Sequence, residues 1–192
     1  MKVICYGDSN TYGYDPRSYI GGRYPASDRW VDLLAEKTGW EVENRGLNGR
    51  EIPGHSISVP GDTGLLIVML GTNDLLQGAS AEEAAVRMEA FLNQMLPHCK
   101  HILLIAPPPL MRGAWVPDDQ LVSESIRLGE EYKALAEKLN ISFVDTRDWN
   151  IEMAFDGVHF TESGHGTFAA KMAIEIKKSF GLCPIIASEQ SK

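Results

Sequence analysis

The sequence predicts an α/β fold in which a parallel sheet carries helices on both faces. Three features of the chain lead there: short apolar runs of strand type, segments of helical spacing between them, and turn residues closing each run. Parallel strands need crossover connections, so strand and helix alternating about five times favour this class over an antiparallel one.

The first run, "KVICYG", halts at a Gly-Asp-Ser turn. "SDRWVDLLAEKTG" then places Trp30, Leu33, Leu34 and Lys37 on one helical side and stops at Gly39, a residue suited to a helix end. "EVENRG", from Glu41, is a weaker strand, and "TGLLIVMLG", ending at Gly71, a strong one. Ser80 stands three residues before Glu83 at the head of "SAEEAAVRMEAFLNQML", a capping box that satisfies free N–H groups at a helix start. "HILLIAPPP" is the next strand, "SESIRLGEEYKALAEKLN" the next helix, and "ISFVDT" the last strand. "TESGHGTFAAKMAIEIKKSFG" closes the series as a helix whose basic end suits the helix dipole. Without an internal repeat or linker, residues 1–187 are expected to form a single domain and 188–192 a frayed tail.

A chain of 192 residues is long enough to bury one core. Its 44% hydrophobic and 23% charged residues are ordinary globular values. No apolar run approaches the roughly 20 residues that span a bilayer, so no membrane partner is expected. The start, "MKVICYGDS", turns polar too soon for a secretory signal, and the expected location is cytoplasmic. A net charge of -8 with no basic block opposes binding of nucleic acid. Cys5, Cys99 and Cys183 are odd in number and lack metal-ligand spacing, which suits reduced thiols and no metal; Cys5, inside the first strand, reads as a buried inert thiol.

In a parallel sheet chemistry gathers at the carboxyl ends of the strands, where Ser9, "NRGLNGR", "GTND" and "PPPLMRGAW" should all lie. A Ser hydroxyl becomes a nucleophile when a neutral His removes its proton and a carboxylate orients that His. Of five histidines, His98 and His101 flank the start of a strand at the far edge, and His55 has no following carboxylate before Asp62. Asp156 and His159, in "FDGVHFTESGH", are close enough in a turn to pair. His165 is a rival, read otherwise as a partly solvated helix residue. Negative charge on an attacked carbonyl oxygen needs donors: the Ser9 N–H, the Gly46 N–H and the Asn73 amide are the candidates. Tyr12, Tyr14, Ile57, Met111, Trp115, Val158 and Phe160 fall in or near the loops of this edge and suit an apolar wall.

"GDSN" at Ser9, Gly46 in "NRGLNGR", Asn73 in "GTND" and His159 in "DGVHFT" resemble the four blocks of the SGNH hydrolases, the GDSL esterase/lipase superfamily. "GDSNTYG", "IVMLGTND", "APPPL" and "DGVHFT" are most similar to its bacterial arylesterase and acyltransferase branch. The resemblance implies a flavodoxin-like three-layer α/β/α sandwich with a five-stranded parallel sheet, no lid domain, and no metal or cofactor. It implies Ser9 as nucleophile, His159 as base, Asp156 as its orienting acid, and Ser9, Gly46 and Asn73 as the oxyanion hole. Asn10 replaces the Leu of the family name, where an effect on packing or substrate fit is expected. Asn10, Tyr12, Ile57, Trp115 and Val158 are taken as substrate-binding. The Gly-x-Ser-x-Gly elbow of the α/β-hydrolases is absent.

The expected activity is hydrolysis of short acyl or aryl esters through an acyl-enzyme, with transfer to an alcohol as a second outcome. Carbohydrate O-deacetylation, thioester or lysophospholipid hydrolysis, and phosphate or nucleotide binding by a flavodoxin-like module are the alternatives. The expected partner is a small-molecule ester. The apolar, proline-stiffened "PPPLMRGAWVP" suits a cover for the site or a contact within a homo-oligomer.

Overall fold

The computed structural model describes residues 1–18 and 20–180; Cys183 and the expected tail at 188–192 lie outside them. Strands β1 (Lys2–Gly7), β2 (Glu41–Gly46), β3 (Leu65–Met69), β4 (Ile102–Ala106) and β5 (Ser142–Asp145) form a five-stranded parallel sheet in the order β2-β1-β3-β4-β5. The helices are α1 (Ser9–Tyr12), α2 (Trp30–Thr38), α3 (Thr72–Leu76), α4 (Ala81–Met95), α5 (Asp119–Leu139) and α6 (Glu162–Phe180).

Successive strand side chains point to opposite faces, and β1 shows the consequence. Val3 and Cys5 enter a core with Trp30 and Leu34 of α2 and Phe168 and Met172 of α6. Ile4 and Tyr6 enter another with Met88 and Phe91 of α4 and Leu128 and Tyr132 of α5. β3 and β4 are divided in the same way, which is why all three read as unbroken apolar runs. The result is the predicted three-layer α/β/α sandwich. Among the described residues no helix is long and apolar enough to cross a membrane.

Local signals act where the sequence put them, with three differences. The Ser80 side chain accepts the Glu83 N–H, and Glu83 Oε2 accepts the Ser80 N–H in return (3.2 and 2.9 Å). Gly39 ends α2 in the left-handed region (φ 68°). The buried face of α2 is Trp30, Val31 and Leu34, while Lys37 is exposed, because its terminal ammonium stays in water. α5 begins at Asp119, ahead of the predicted start, because the Asp118 carboxylate caps it by accepting the Leu121 N–H (3.0 Å). α1 and α3 are single turns that interrupt what read as loops.

Parallel register brings the strand ends level. Gly7 pairs with Gly46 on one side and Met69 on the other, so the segments after β1, β2 and β3 leave from one edge. α1 lies directly on that edge. A Cβ on Gly46 would stand 2.0 Å from the Tyr12 nitrogen, a backbone atom that cannot swing aside. Gly46→Ala should therefore lower unfolding stability by about 2 kcal/mol in urea titration, the scale of overpacking a tight site. Gly61→Ala, whose added carbon meets nothing within 4 Å, should leave the midpoint unchanged.

Candidate active site

Ser9 is the first residue of α1. The Asp8 carboxylate caps the turn by accepting the Asn10 N–H (2.9 Å), and Gly13, at φ 89°, ends it by donating to the Ser9 carbonyl (2.9 Å). One cap at each end turns the chain sharply at the carboxyl end of β1 and leaves the Ser9 hydroxyl at the sheet edge.

The loop between β5 and α6 brings the base. Asp156 Oδ1 accepts the N–H groups of Val158 and His159, both at 2.9 Å, a turn that Asp forms with its own following backbone. Its Oδ2 meets His159 Nδ1 at 2.7 Å, and His159 Nε2 meets Ser9 Oγ at 2.9 Å. All three residues are buried, Asp156 and His159 almost completely. Burial raises the Asp156 carboxyl, but hydrogen bonds from the His159 ring and from the two backbone N–H groups outweigh it, and the group is held below the usual carboxylate range. An ionised Asp156 keeps the ring proton on Nδ1 and leaves Nε2 free to accept the Ser9 proton.

A cavity of about 270 Å³ opens over this row. Beside Ser9 and His159 it is lined by Tyr14, Asn48, Gly49, Asn73, Leu76, Trp115 and Val158. The Tyr14 and Trp115 rings flank the imidazole, with centroids 4.6 and 5.1 Å from that of His159. The Asn73 amide donates one N–H to the Arg50 carbonyl (3.0 Å), which orients it and leaves its second N–H for another acceptor. Asp74, fully buried, fixes the same loop: it accepts the Ile52 N–H (3.1 Å) and pairs with Arg87 (2.9 Å).

Gly46 needs correction. Its N–H donates to Asn44 Oδ1 (2.9 Å), and the residue does not line the cavity. The glycine that does is Gly49, at φ 71° in a turn closed by Arg50 N–H to the Leu47 carbonyl (3.2 Å). Gly46 serves the close packing of α1; the Asn-Gly pair at 48 and 49 was the turn signal that marked the second position.

The family model described as GDSL-like Lipase/Acylhydrolase matches residues 5–166, which takes in every residue of this row. The chain belongs to that family. A carbohydrate acetylesterase from Sinorhizobium meliloti, Est24, is similar at 26% identity, over 93% of this chain and 99% of that one, with a TM-score of 0.77. The aryl esterase of M. smegmatis is similar at 25% identity, over 92% and 98%, also with a TM-score of 0.77. A candidate arylesterase from Agrobacterium tumefaciens str. C58 is similar at 28%, over 92% and 98%, with a TM-score of 0.76. A search of curated proteins finds no match.

Within this GDSL-like chain, Trp115 and Val158 line the cavity, as does Tyr14. Three other expected substrate-binding residues do not. Tyr12 stacks under the Arg23 guanidinium (4.6 Å), because the single turn of α1 aims it away from the cavity. Ile57 packs against the core beneath α4. Asn10 is buried and bonded to the loop that carries His159. Among the other wall candidates, Phe160 is fully buried against Phe168, and Met111 is exposed outside the cavity. Asn48, Gly49 and Leu76 were not anticipated.

His165 is not a partly solvated helix residue. It is fully buried between the rings of Tyr24 and Phe160, and its Nδ1 faces the Trp30 N–H at 3.4 Å. Burial lowers its pKa to about 3, with the positive charges of His159 and Arg29 adding to the effect. A depressed His takes up a proton when unfolded but not when folded, so its contribution is intact above the ordinary value of 6.5 and is lost as pH falls toward 3. His165→Asn, which keeps an acceptor for Trp30, should flatten the loss of thermal stability between neutral pH and about pH 4 while ester hydrolysis at neutral pH persists.

Proposed function

We propose that this protein is a serine esterase acting on small acyl or aryl esters through an acyl-enzyme. The observation that carries the reading is the continuous row of Ser9 Oγ, His159 and Asp156, joined at 2.9 and 2.7 Å and opening on one cavity.

His159 Nε2 takes the Ser9 proton as Oγ attacks the ester carbonyl. The carbonyl oxygen becomes negative and is met by the Asn73 amide and the backbone N–H groups of Ser9 and Gly49. Asp156 stabilises the imidazolium that forms. The imidazolium then gives its proton to the leaving alcohol, and the acyl group remains on Ser9. Water, deprotonated by the same nitrogen, attacks the acyl-enzyme and restores the hydroxyl. An alcohol in place of that water gives a transfer product, so both outcomes share one intermediate.

The size of the cavity favours a small substrate, since pockets that enclose drug-sized ligands begin at roughly 300 Å³. Leu76 and Val158 offer an apolar surface to a short acyl chain, and Tyr14 and Trp115 offer ring faces to an aryl leaving group. Asn48 on the lining, and the similarity to a carbohydrate acetylesterase, support sugar acetates as a second substrate class.

Ser9→Ala and His159→Ala should each abolish hydrolysis of p-nitrophenyl acetate, and Ser9→Ala should also abolish labelling by a fluorophosphonate. Asn73→Ala should lower kcat by roughly 10²- to 10³-fold, the usual effect of losing one oxyanion donor. Hydrolysis that survives in Ser9→Ala overturns the reading.

A further inference from the structure

We propose that Asn10, the residue standing where the family name has Leu, is a positioning residue that sets the place of His159. The inference rests on the esterase reading of the same site. Its side-chain amide makes two bonds to the chain on either side of the base: Nδ2 donates to the Val158 carbonyl (2.9 Å), and Oδ1 accepts the Phe160 N–H (3.0 Å). A carbonyl and an N–H that flank one residue are the pair an adjacent β-strand would engage. The Asn10 amide takes the place of such a strand and grips the backbone of His159 from outside.

The grip is itself anchored. The Asn10 N–H is held by the Asp8 carboxylate (2.9 Å) and its carbonyl by Trp30 Nε1 (3.0 Å), so every polar group of Asn10 is engaged. The residue is 5% exposed and does not line the cavity, which separates this role from substrate contact. Asn10 follows Ser9 directly. The bonds therefore close a ring: from Ser9 through the Asn10 amide to residues 158 and 160, through the His159 ring, and back to Ser9 Oγ. Two groups 150 positions apart in the chain are held in register by a covalent neighbour of one clasping the neighbours of the other.

A Leu at this position fills similar space and makes neither bond. The Val158 carbonyl and the Phe160 N–H belong to buried residues and would lose their partner, and the segment carrying the imidazole would shift to find others. Misplacement of a base by about 1 Å is enough to cost roughly 10²-fold in rate. Asn10→Asp is the sharper change. It keeps the shape, but an ionised carboxylate presents an acceptor to the Val158 carbonyl; protonation restores a donor.

The test uses p-nitrophenyl acetate hydrolysis and fluorophosphonate labelling of wild type, Asn10→Leu and Asn10→Asp, at temperatures where circular dichroism shows each to be folded. Asn10→Leu should lose roughly 10- to 100-fold in kcat with KM within about twofold, and its labelling rate should fall by the same factor. The ratio of Asn10→Asp to wild-type rate should rise as pH is lowered from about 8 to about 5, a response that simple loss of packing does not produce. If Asn10→Leu does not fold, that ratio decides alone. Wild-type kcat in folded Asn10→Leu, a change confined to KM, or a pH-independent Asn10→Asp ratio overturns the inference. Wild type that resists the fluorophosphonate overturns the esterase reading instead, so the two failures are distinguishable.

Discussion

The 2.9 Å contact between Ser9 Oγ and His159 Nε2 joins the single turn α1 to the loop before α6, and neither segment can set it alone. The sheet supplies half of the constraint. β1 is an interior strand fixed by parallel register to β2 and β3, so the exit of Gly7 is set from both sides, and the capped turn of α1 carries Ser9 only one step beyond it. The other half comes from the loop after β4. Met111 N–H bonds the Gly157 carbonyl (3.0 Å) and Trp115 N–H the Asp156 carbonyl (3.0 Å), pinning the segment that carries Asp156 and His159. Glycine at 157 is required there, because φ is 80° and an added Cβ would stand 2.0 Å from the Met111 carbonyl oxygen.

Local environment then separates groups that the chain places close together. His159 and His165 lie in one short stretch and are both buried, but they have opposite surroundings. His159 has a carboxylate on one ring nitrogen and a hydroxyl on the other, so it can take a proton without leaving its place. His165 has aromatic rings and no carboxylate, and burial keeps it neutral. The two aspartates divide in the same manner. Burial pushes Asp8 up to about 6 despite the Asn10 N–H and the nearby His159, whereas the donors gathered on Asp156 hold it low. Asp8 caps the turn of α1, and the ionised Asp156 faces the imidazole ring.

The fold was legible because the strands buried on both faces show as unbroken apolar runs and the helix ends carry chemical marks such as Ser80 with Glu83 and Gly39. The row of Ser9, Asp156 and His159 was legible through the sequence blocks that resemble the SGNH hydrolases, with Asp156 and His159 close enough in a turn to pair. What the sequence hid depends on direction within a single turn of helix. Tyr12 and Tyr14 are equivalent by composition, but α1 ends at Gly13, which sends Tyr14 into the cavity and Tyr12 out under Arg23. Gly46 ends β2 against α1, whereas Gly49 turns the chain at φ 71° onto the cavity. His165 reads as a partly solvated position near a helix start until the packing of Trp30, Tyr24 and Phe160 is known. Asn10 reads as a departure from a motif, since its partners lie 148 and 150 positions away.

The loop with Trp115 has two duties that pull against each other. Its Trp115 side chain lines the cavity, while its backbone holds the segment bearing Asp156 and His159. The division between side chain and backbone lets both duties coexist. Trp115 is 51% exposed, so exchanging its ring alters the cavity without opening the core, and its N–H bond to Asp156 is kept by any residue except Pro. Gly113 has no such freedom, because a Cβ there would come within 2.5 Å of the Asp156 carbonyl carbon and push on the acid itself. In this loop the cavity wall can change at Trp115 while the position of the Asp156 backbone stays fixed by Gly113.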